Sequence, residues 1–527
     1  MIIDTRELQN NTKFDADICI IGSGAAGITI AKTLGNSHLK IIMLESGGLE
    51  SNTEVQDLAK GEISARQYFD LDVSRLRYFG GSTNHWGGRC LPLREDDFED
   101  RPWIPHSGWP FSFKQLKSYY ERAHNIIGLG SYNYDIKAFS ESKGLPLFPF
   151  GDGPIKSILT RTHPLRFGKA YRQEIKDSKT ITTLLNAHVL KLETNEDASS
   201  VTGVDVGTLS GNSLSVKARS YIVACGGIEN PRLLLLSNQV KEKGLGNDYD
   251  QVGRYFMEHL LYSGGLMVIS DINADYRIYA DYIKSEGIDI QSTLAFDPEY
   301  LKKMRLPNLY FELQSQRGYG FTEGMHSVKD FVSSAKKFEW PDNLVDQVAN
   351  IAKDLDLIID GVADSVLGES IIHDNAPLAF RLYAFGEQVP NPNSRVTLGN
   401  NKDSFGLPVT NLAWNTTDED IQGIHKSFEV LASEVGRTGI GRVKIMLEKG
   451  DNPPLSRLSG GQHHMGTTRM SIDPKQGVVD SNCQVHGVDN LFIAGSSVFP
   501  TSGFANPTLT IVALALKLAD YLKERVS

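Results

Sequence analysis

A chain of 527 residues is longer than one hydrophobic core sustains, which is about 250–300 residues, so more than one core is expected. Its 40% hydrophobic and 22% charged residues are an ordinary globular composition, and a net charge of −10 argues against nucleic acid or anionic membrane as partners. Four widely separated cysteines, Cys19, Cys90, Cys225 and Cys483, give no CxxC pair and no zinc spacing. Cys19 and Cys225 sit in strand-like runs and read as small core residues of a chain kept in a reducing compartment.

From Met1 to Asp17 the chain carries charges and amides, with no apolar h-region and no twin-arginine pair, so no export signal is read. A cytoplasmic location is expected, with export alongside a partner subunit left open. The run Asp17 to Ile21 is apolar and β-branched, as in a buried parallel strand, and leads directly into Gly22-Ser-Gly24-Ala-Ala-Gly27. A helical pattern follows over Ile28 to Leu34, then a second buried strand from Lys40 to Leu44, ending on Glu45. In this order the parts predict a dinucleotide site. Gly22 allows the tight turn, Gly24 admits a pyrophosphate close to the backbone, and Gly27 lets helix and strand pack closely. The helix N-terminus offers free N–H groups to phosphate. Glu45 can accept from a ribose hydroxyl, and its charge disfavours a 2′-phosphate and hence NADP. The motif does not itself choose between FAD and NAD.

Further along, Arg77 to Cys90 (RYFGGSTNHWGGRC) is a glycine-dense loop with an embedded histidine and aromatic. Ser220 to Leu236 reads as a buried strand, a glycine pair and a helix with Pro231 in its first turn. In the middle, strands are expected over Leu261–Ser270 and Ser394–Leu398, with a turn at Asn391-Pro-Asn. Asn343 to Leu367 is amphipathic and helical, read as a helix packed on the protein's own sheet, against a lid, dimer contact or membrane-facing helix. Tyr383, Glu387 and Gln388 could reach a polar substrate, though a surface loop is the competing reading. At the C-terminal end, GGQHHMGTTRM (460–470) precedes the block from Val488 to Leu522, whose apolar stretch Leu509–Leu522 is shorter than the about 20 residues of a membrane span.

Together these segments resemble the glucose–methanol–choline (GMC) oxidoreductases over nearly the whole chain, most closely the subgroup of pyranose 2-oxidase and the sugar dehydrogenases. Gly80, Gly81, His85 and Trp86 match that subgroup's GG-x-x-x-H-W loop, His463, Met465 and Gly466 its H-x-M-G, and Ala505 to Thr510 its ANPTLT. The resemblance implies an α/β fold with a Rossmann-like FAD-binding domain and a substrate domain built on an antiparallel sheet backed by helices. The first would comprise 15–100, 180–260 and 455–527, the second 101–179 and 261–454. The chain is shorter than pyranose 2-oxidase, with no obvious arm or head domain, so that enzyme's tetramer is not carried over and the oligomeric state stays open.

By the same resemblance the cofactor is FAD, and a single Gly-rich fingerprint argues that its electrons come from substrate and not from a nicotinamide. The implied contacts are Gly22, Gly24, Ala26, Gly27 and Glu45; Gly80, Gly81, Thr83, Asn84 and His85; Val189, Ala224, Gly226 and Gly495; and Pro507 and Thr508. His85 matches a histidine that bonds covalently to flavin in pyranose 2-oxidase, and covalent and non-covalent attachment are both open. His463 takes the catalytic-histidine position, where an imidazole of ordinary pKa about 6.5 suits a base, and His464 beside it should point away. Asn506 takes the second catalytic position, where it would hold the substrate hydroxyl while also capping the helix Pro507 to Leu522. That helix's positive end would favour a negatively charged reduced flavin by about 0.3–2 kcal/mol. The expected reaction is hydride removal from a CH–OH group of a sugar, glycoside or polyol, with electrons passing to oxygen or to a quinone or cytochrome carrier. Oxidation of another secondary alcohol (cyclitol, aminoglycoside, sterol or natural product) competes with it, as does a non-redox lyase of the same fold.

Overall fold

Apolar runs buried on both faces and alternating runs buried on one build different sheets here, and the chain uses both. A computed structural model describes residues 1–271, 275–316, 379–447 and 458–526. An eight-stranded sheet runs in the order 2–4, 181–185, 41–44, 12–21, 213–223, 201–207, 188–194, with 491–493 added against 213–223. Its first five strands and 491–493 are joined in parallel, while 201–207 and 188–194 pair antiparallel. Ile18, Cys19, Ile20 and Ile21 are buried throughout, as the unbroken apolar run requires. The strand starts earlier than the sequence pattern indicated, at Thr12, because its first residues alternate in exposure. The helix after it begins at Ala25, with Gly24 as its N-cap, and helices Ala25–Leu34 and Phe113–Ile127 both pack on Thr508–Val526.

A nine-stranded antiparallel sheet carries a second core. Its order is 441–445, 259–269, 379–387, 309–316, 288–296, 155–162, 89–90, with 283–285 and 459–460 attached. The strand His259–Ile269 and the turn at residues 392–393 fall where the pattern placed them. Helix Asp418–Thr438 packs on this sheet; the Thr417 side chain accepts from Asp420 N–H and the Asp420 carboxylate accepts from Thr417 N–H. The amphipathic segment 343–367 lies outside the described residues. All four cysteines are free, and no helix among the described residues is long and apolar enough to cross a membrane.

One expectation is corrected. Pro231 is not in the first turn of its helix but inside it, at the sixth of the residues Gly226–Leu236. A proline there leaves the carbonyl four residues earlier without its N–H. That carbonyl is Gly227 O, and the Thr467 hydroxyl donates to it at 2.5 Å. A tertiary contact repairs the break, and no local pattern could announce it.

Candidate active site

Where the glycine-rich turn meets the second sheet, a cavity of about 650 Å³ opens, within the usual range for ligand sites. Gly22 lines it with φ +105°, and a Cβ there would come within 2.5 Å of Ala224 O. Gly24, Ala26, Glu45, Gly81, Thr83, His85, Val189, Ala224, Gly226, Gly495, Pro507 and Thr508 are also on its walls. Gly27, Gly80 and Asn84 are not, and act one layer back. Gly27 sits where a Cβ would lie 1.9 Å from Gly22 O. Gly80 N–H donates to Ser23 O (3.0 Å), and the Asn84 amide donates to Phe79 O (2.8 Å). The Glu45 carboxylate is already oriented, accepting from Ser23 N–H (3.1 Å), the Ser23 hydroxyl (2.6 Å) and Gly47 N–H (2.8 Å).

Sequence reasoning missed the ionic wall of this cavity. Glu229 pairs with Arg75 (2.6 Å), Arg77 (2.7 Å) and Arg232 (3.3 Å), and Arg232 also pairs with Asp403 (2.6 Å). Burial opposes the charge on Glu229, but Arg77, Arg75 and Arg232 overcome it and hold the carboxyl well below its usual range. Three guanidinium groups against two carboxylates leave this wall positive, which suits an anionic ligand.

At the other end of the cavity a distorted strand pairing brings His463 forward. Met257 exchanges backbone hydrogen bonds with Met465, and Leu260 is paired with Gly460. Three steps along one strand therefore face five along the other, so the chain bulges between Gly461 and His464. Backbone N–H groups in a bulge lose their ladder partners. Here Glu258 supplies an acceptor: its Oε2 accepts from His463 N–H (2.8 Å), from Gly461 N–H (3.0 Å), which also donates to His259 O (3.1 Å), and, across from the bulge, from His259 N–H (3.2 Å). Its Oε1 meets the Tyr68 hydroxyl. Burial lifts the Glu258 carboxyl to about 7.

The two neighbouring histidines diverge, as expected. His464 turns inward, its Nε2 2.9 Å from the Tyr68 hydroxyl, and burial holds its pKa at about 3. His463 presents Nε2 to the Asn506 amide nitrogen at 3.4 Å and Nδ1 to His259 Nδ1 at 2.8 Å. Burial, then the neighbouring His259 and His464, hold the His463 pKa well below 6.5, so its imidazole is neutral. Asn506 does not cap the C-terminal helix. That helix runs from Thr508 to Val526, its first carbonyl acceptor is Pro507 O (2.8 Å to Ile511 N), and Asn506 Oδ1 is buried with no hydrogen-bond partner. Its amide oxygen is therefore available to a ligand.

Glu387 and Gln388 are not available in that way. Arg101 grips Glu387 through both guanidinium nitrogens, one at 2.8 Å, with both side chains buried. Gln388 Oε1 accepts from Glu258 N–H and the Trp414 indole N–H, each at 2.9 Å. His85 lies exposed at the cavity, while the Trp86 indole donates to Leu165 O at 2.8 Å. Glu258 and His259 had a readable signal that went unused: two adjacent ionisable residues inside the apolar run FMEHLLY.

Residues 390–515 match the family model of the GMC oxidoreductases. The likeness to the GMC oxidoreductases thus rests on the C-terminal part of the chain. Over 97% of its length it is 24% identical to 96% of a 2-methyl-1,2-propanediol dehydrogenase of Mycolicibacterium austroafricanum. Over 95% of its length it is 25% identical to 90% of the 6'''-hydroxyparomomycin C oxidase of Streptomyces lividus. Formate oxidase of Aspergillus oryzae RIB40, in a variant structure, has the same fold: TM-score 0.56 at 19% identity over 98% of this chain and 99% of that one. The match and these relatives mark the chain as an oxidoreductase acting on CH–OH groups, and the cofactor of the GMC oxidoreductases is FAD. The cavity fits such a group. Its wall is positive, no atom lies within 4 Å of where a Gly24 Cβ would stand, and four polar side chains on it have buried atoms with no partner: Asn506 through Oδ1, His188 through both ring nitrogens, and Arg75 and Arg77 through Nε.

Proposed function

We propose that this enzyme removes hydride from a hydroxyl-bearing carbon of a sugar, glycoside or polyol, with His463 as the base. The observation that carries this reading is the pairing of His463 Nε2 with the Asn506 amide at 3.4 Å on the wall of the cavity, with Asn506 Oδ1 left unpartnered. An alcohol oxygen seated against both would donate its proton to Nε2 and accept from the Asn506 amide N–H. The developing alkoxide is then held by a neutral donor, and the proton rests on an imidazole. Bound FAD supplies the hydride acceptor.

Gly22, Gly24, Gly81, Thr83, Val189, Ala224, Gly226 and Gly495 would hold the cofactor along the cavity, with Glu45 toward a ribose and Pro507 and Thr508 near the C-terminal helix. Gly27, Gly80 and Asn84 would shape that path from behind. The polyol assignment draws support from the named substrates of the two relatives, a diol and an aminoglycoside. The test is anaerobic mixing with a panel of sugars, polyols, aminoglycosides and cyanohydrins while following the flavin absorbance. His463→Ala should slow reduction by about 10²–10⁴-fold. Undiminished bleaching in that variant removes His463 from the role, and cyanohydrin cleavage without any bleaching removes the oxidation itself.

A further inference from the structure

The pair His259–His463 poses a question of hydrogen atoms. Their Nδ1 atoms are 2.8 Å apart, so one proton lies between them, on one ring or the other. The far side of His259 decides which. His259 Nε2 faces the carbonyl oxygen of Ser502 at 3.4 Å, and its ring is wholly buried. A carbonyl only accepts, so the arrangement that satisfies both groups puts a proton on His259 Nε2. Burial keeps the ring neutral, with its pKa at about 4, so its Nδ1 must then be the acceptor. The shared proton therefore belongs to His463 Nδ1, and His463 Nε2 is left with a lone pair directed at Asn506.

The opposite register would set a lone pair of His259 against the lone pairs of Ser502 O in a buried site, an uncompensated cost. It would also place a proton on His463 Nε2, where the ring could accept nothing from a substrate.

We infer that His259 is a positioning residue that selects the tautomer of His463, holding it as the Nδ1–H form whose Nε2 faces the cavity. It does not carry the proton onward, because the group behind it is a carbonyl with no basic lone pair. Glu258 does not take that part either: its contacts to this pair are with the backbone N–H groups of His259 and His463. When His463 gains a proton on Nε2, its Nδ1–H still donates to His259, a charge-assisted bond that favours the protonated ring. The catalytic consequence rests on the reading of His463 as the base; the tautomer itself does not.

The experiment compares His259→Leu with His259→Asn, whose Oδ1 can stand where Nδ1 stood. In the FAD-loaded enzyme, His259→Leu should lower the limiting rate of anaerobic flavin reduction by about 10–100-fold, the size of a lost hydrogen bond to a charged group. The substrate concentration for half-saturation should be unchanged, and His259→Asn should stay within about 5-fold of the parent rate. Independently, the imidazole nitrogen spectrum of ¹⁵N-histidine-labelled parent protein, with the His463 signals identified by their loss in His463→Ala, should show Nδ1 protonated and Nε2 bare. A bare Nδ1 on His463 in the parent protein overturns the inference whatever becomes of the variants. So does a parent-like rate in His259→Leu, or an equal loss in His259→Asn. If His463→Ala reduces normally while the nitrogen spectrum is as expected, the base assignment fails and the tautomer assignment stands.

Discussion

Replacing Gly24 and Gly27 one at a time by alanine separates a glycine that serves the ligand from one that serves the fold. Gly24 has φ −76° and ψ −167°, which any residue adopts, and its added Cβ would meet no atom within 4 Å. The apoprotein should tolerate Gly24→Ala or gain about 0.4–1 kcal/mol, since alanine restricts the unfolded chain. The same methyl occupies the approach of a pyrophosphate to the backbone, so FAD binding should weaken by about 1–3 kcal/mol, or about 5–150-fold in Kd. At Gly27 the Cβ would stand 1.9 Å from Gly22 O. Helix Ala25–Leu34 must then move off the 12–21 strand, at a cost of about 1–3 kcal/mol or more before any ligand binds. Calorimetry of the two apoproteins and FAD titration by flavin fluorescence read these effects separately. The reasoning is refuted if Gly24→Ala lowers the apoprotein melting temperature as much as Gly27→Ala does, or binds FAD with the parent Kd.

Three other outcomes are expected. Glu387→Gln should cost about 3–5 kcal/mol of stability by stranding buried Arg101, and the double replacement Arg101→Met with Glu387→Leu should recover much of it in urea unfolding, because the pair and not either charge is what the site tolerates. Burial holds His124 and His259 at about 4 and His188 and His464 at about 3. Each binds more protons unfolded than folded below about pH 6.5, so each contributes stability that is lost as pH falls. Glu258 and Asp420, raised to about 7, and Asp97, raised to about 6, run in the opposite sense. With His463, also held well below 6.5, five imidazoles against three carboxyls leave about two protons net, so apoprotein stability should fall by about 2.7 kcal/mol per pH unit between pH 6 and 5; a rise over that interval in pH-dependent urea unfolding contradicts these assignments. Acid precipitation of the purified holoenzyme distinguishes a flavin tethered at His85, which stays yellow in the pellet, from one released to the supernatant.

Sequence reading reached furthest where chemistry is local. The run from Asp17 to Glu45 declares strand, turn, helix and acid within 29 residues, because a parallel strand buried on both faces must be apolar throughout and a nucleotide turn must be glycine. The histidine and asparagine of the C-terminal motifs were legible through family likeness. What each side chain does was not. Asn506 followed by proline has the pattern of a helix cap, yet its oxygen is left unpartnered. Glu387 looked able to reach a substrate, yet it neutralises Arg101, 286 positions away. Pro231 should break its helix, and Thr467, 236 positions further on, repairs it. The state of His463 depends on His259 and, through it, on the carbonyl of Ser502, contacts spanning 204 and 243 positions. By itself the sequence determined which residue types were present and the local backbone they prefer. Tertiary structure alone decided which buried polar atoms would meet, because a hydrogen bond across hundreds of residues leaves no trace in local periodicity.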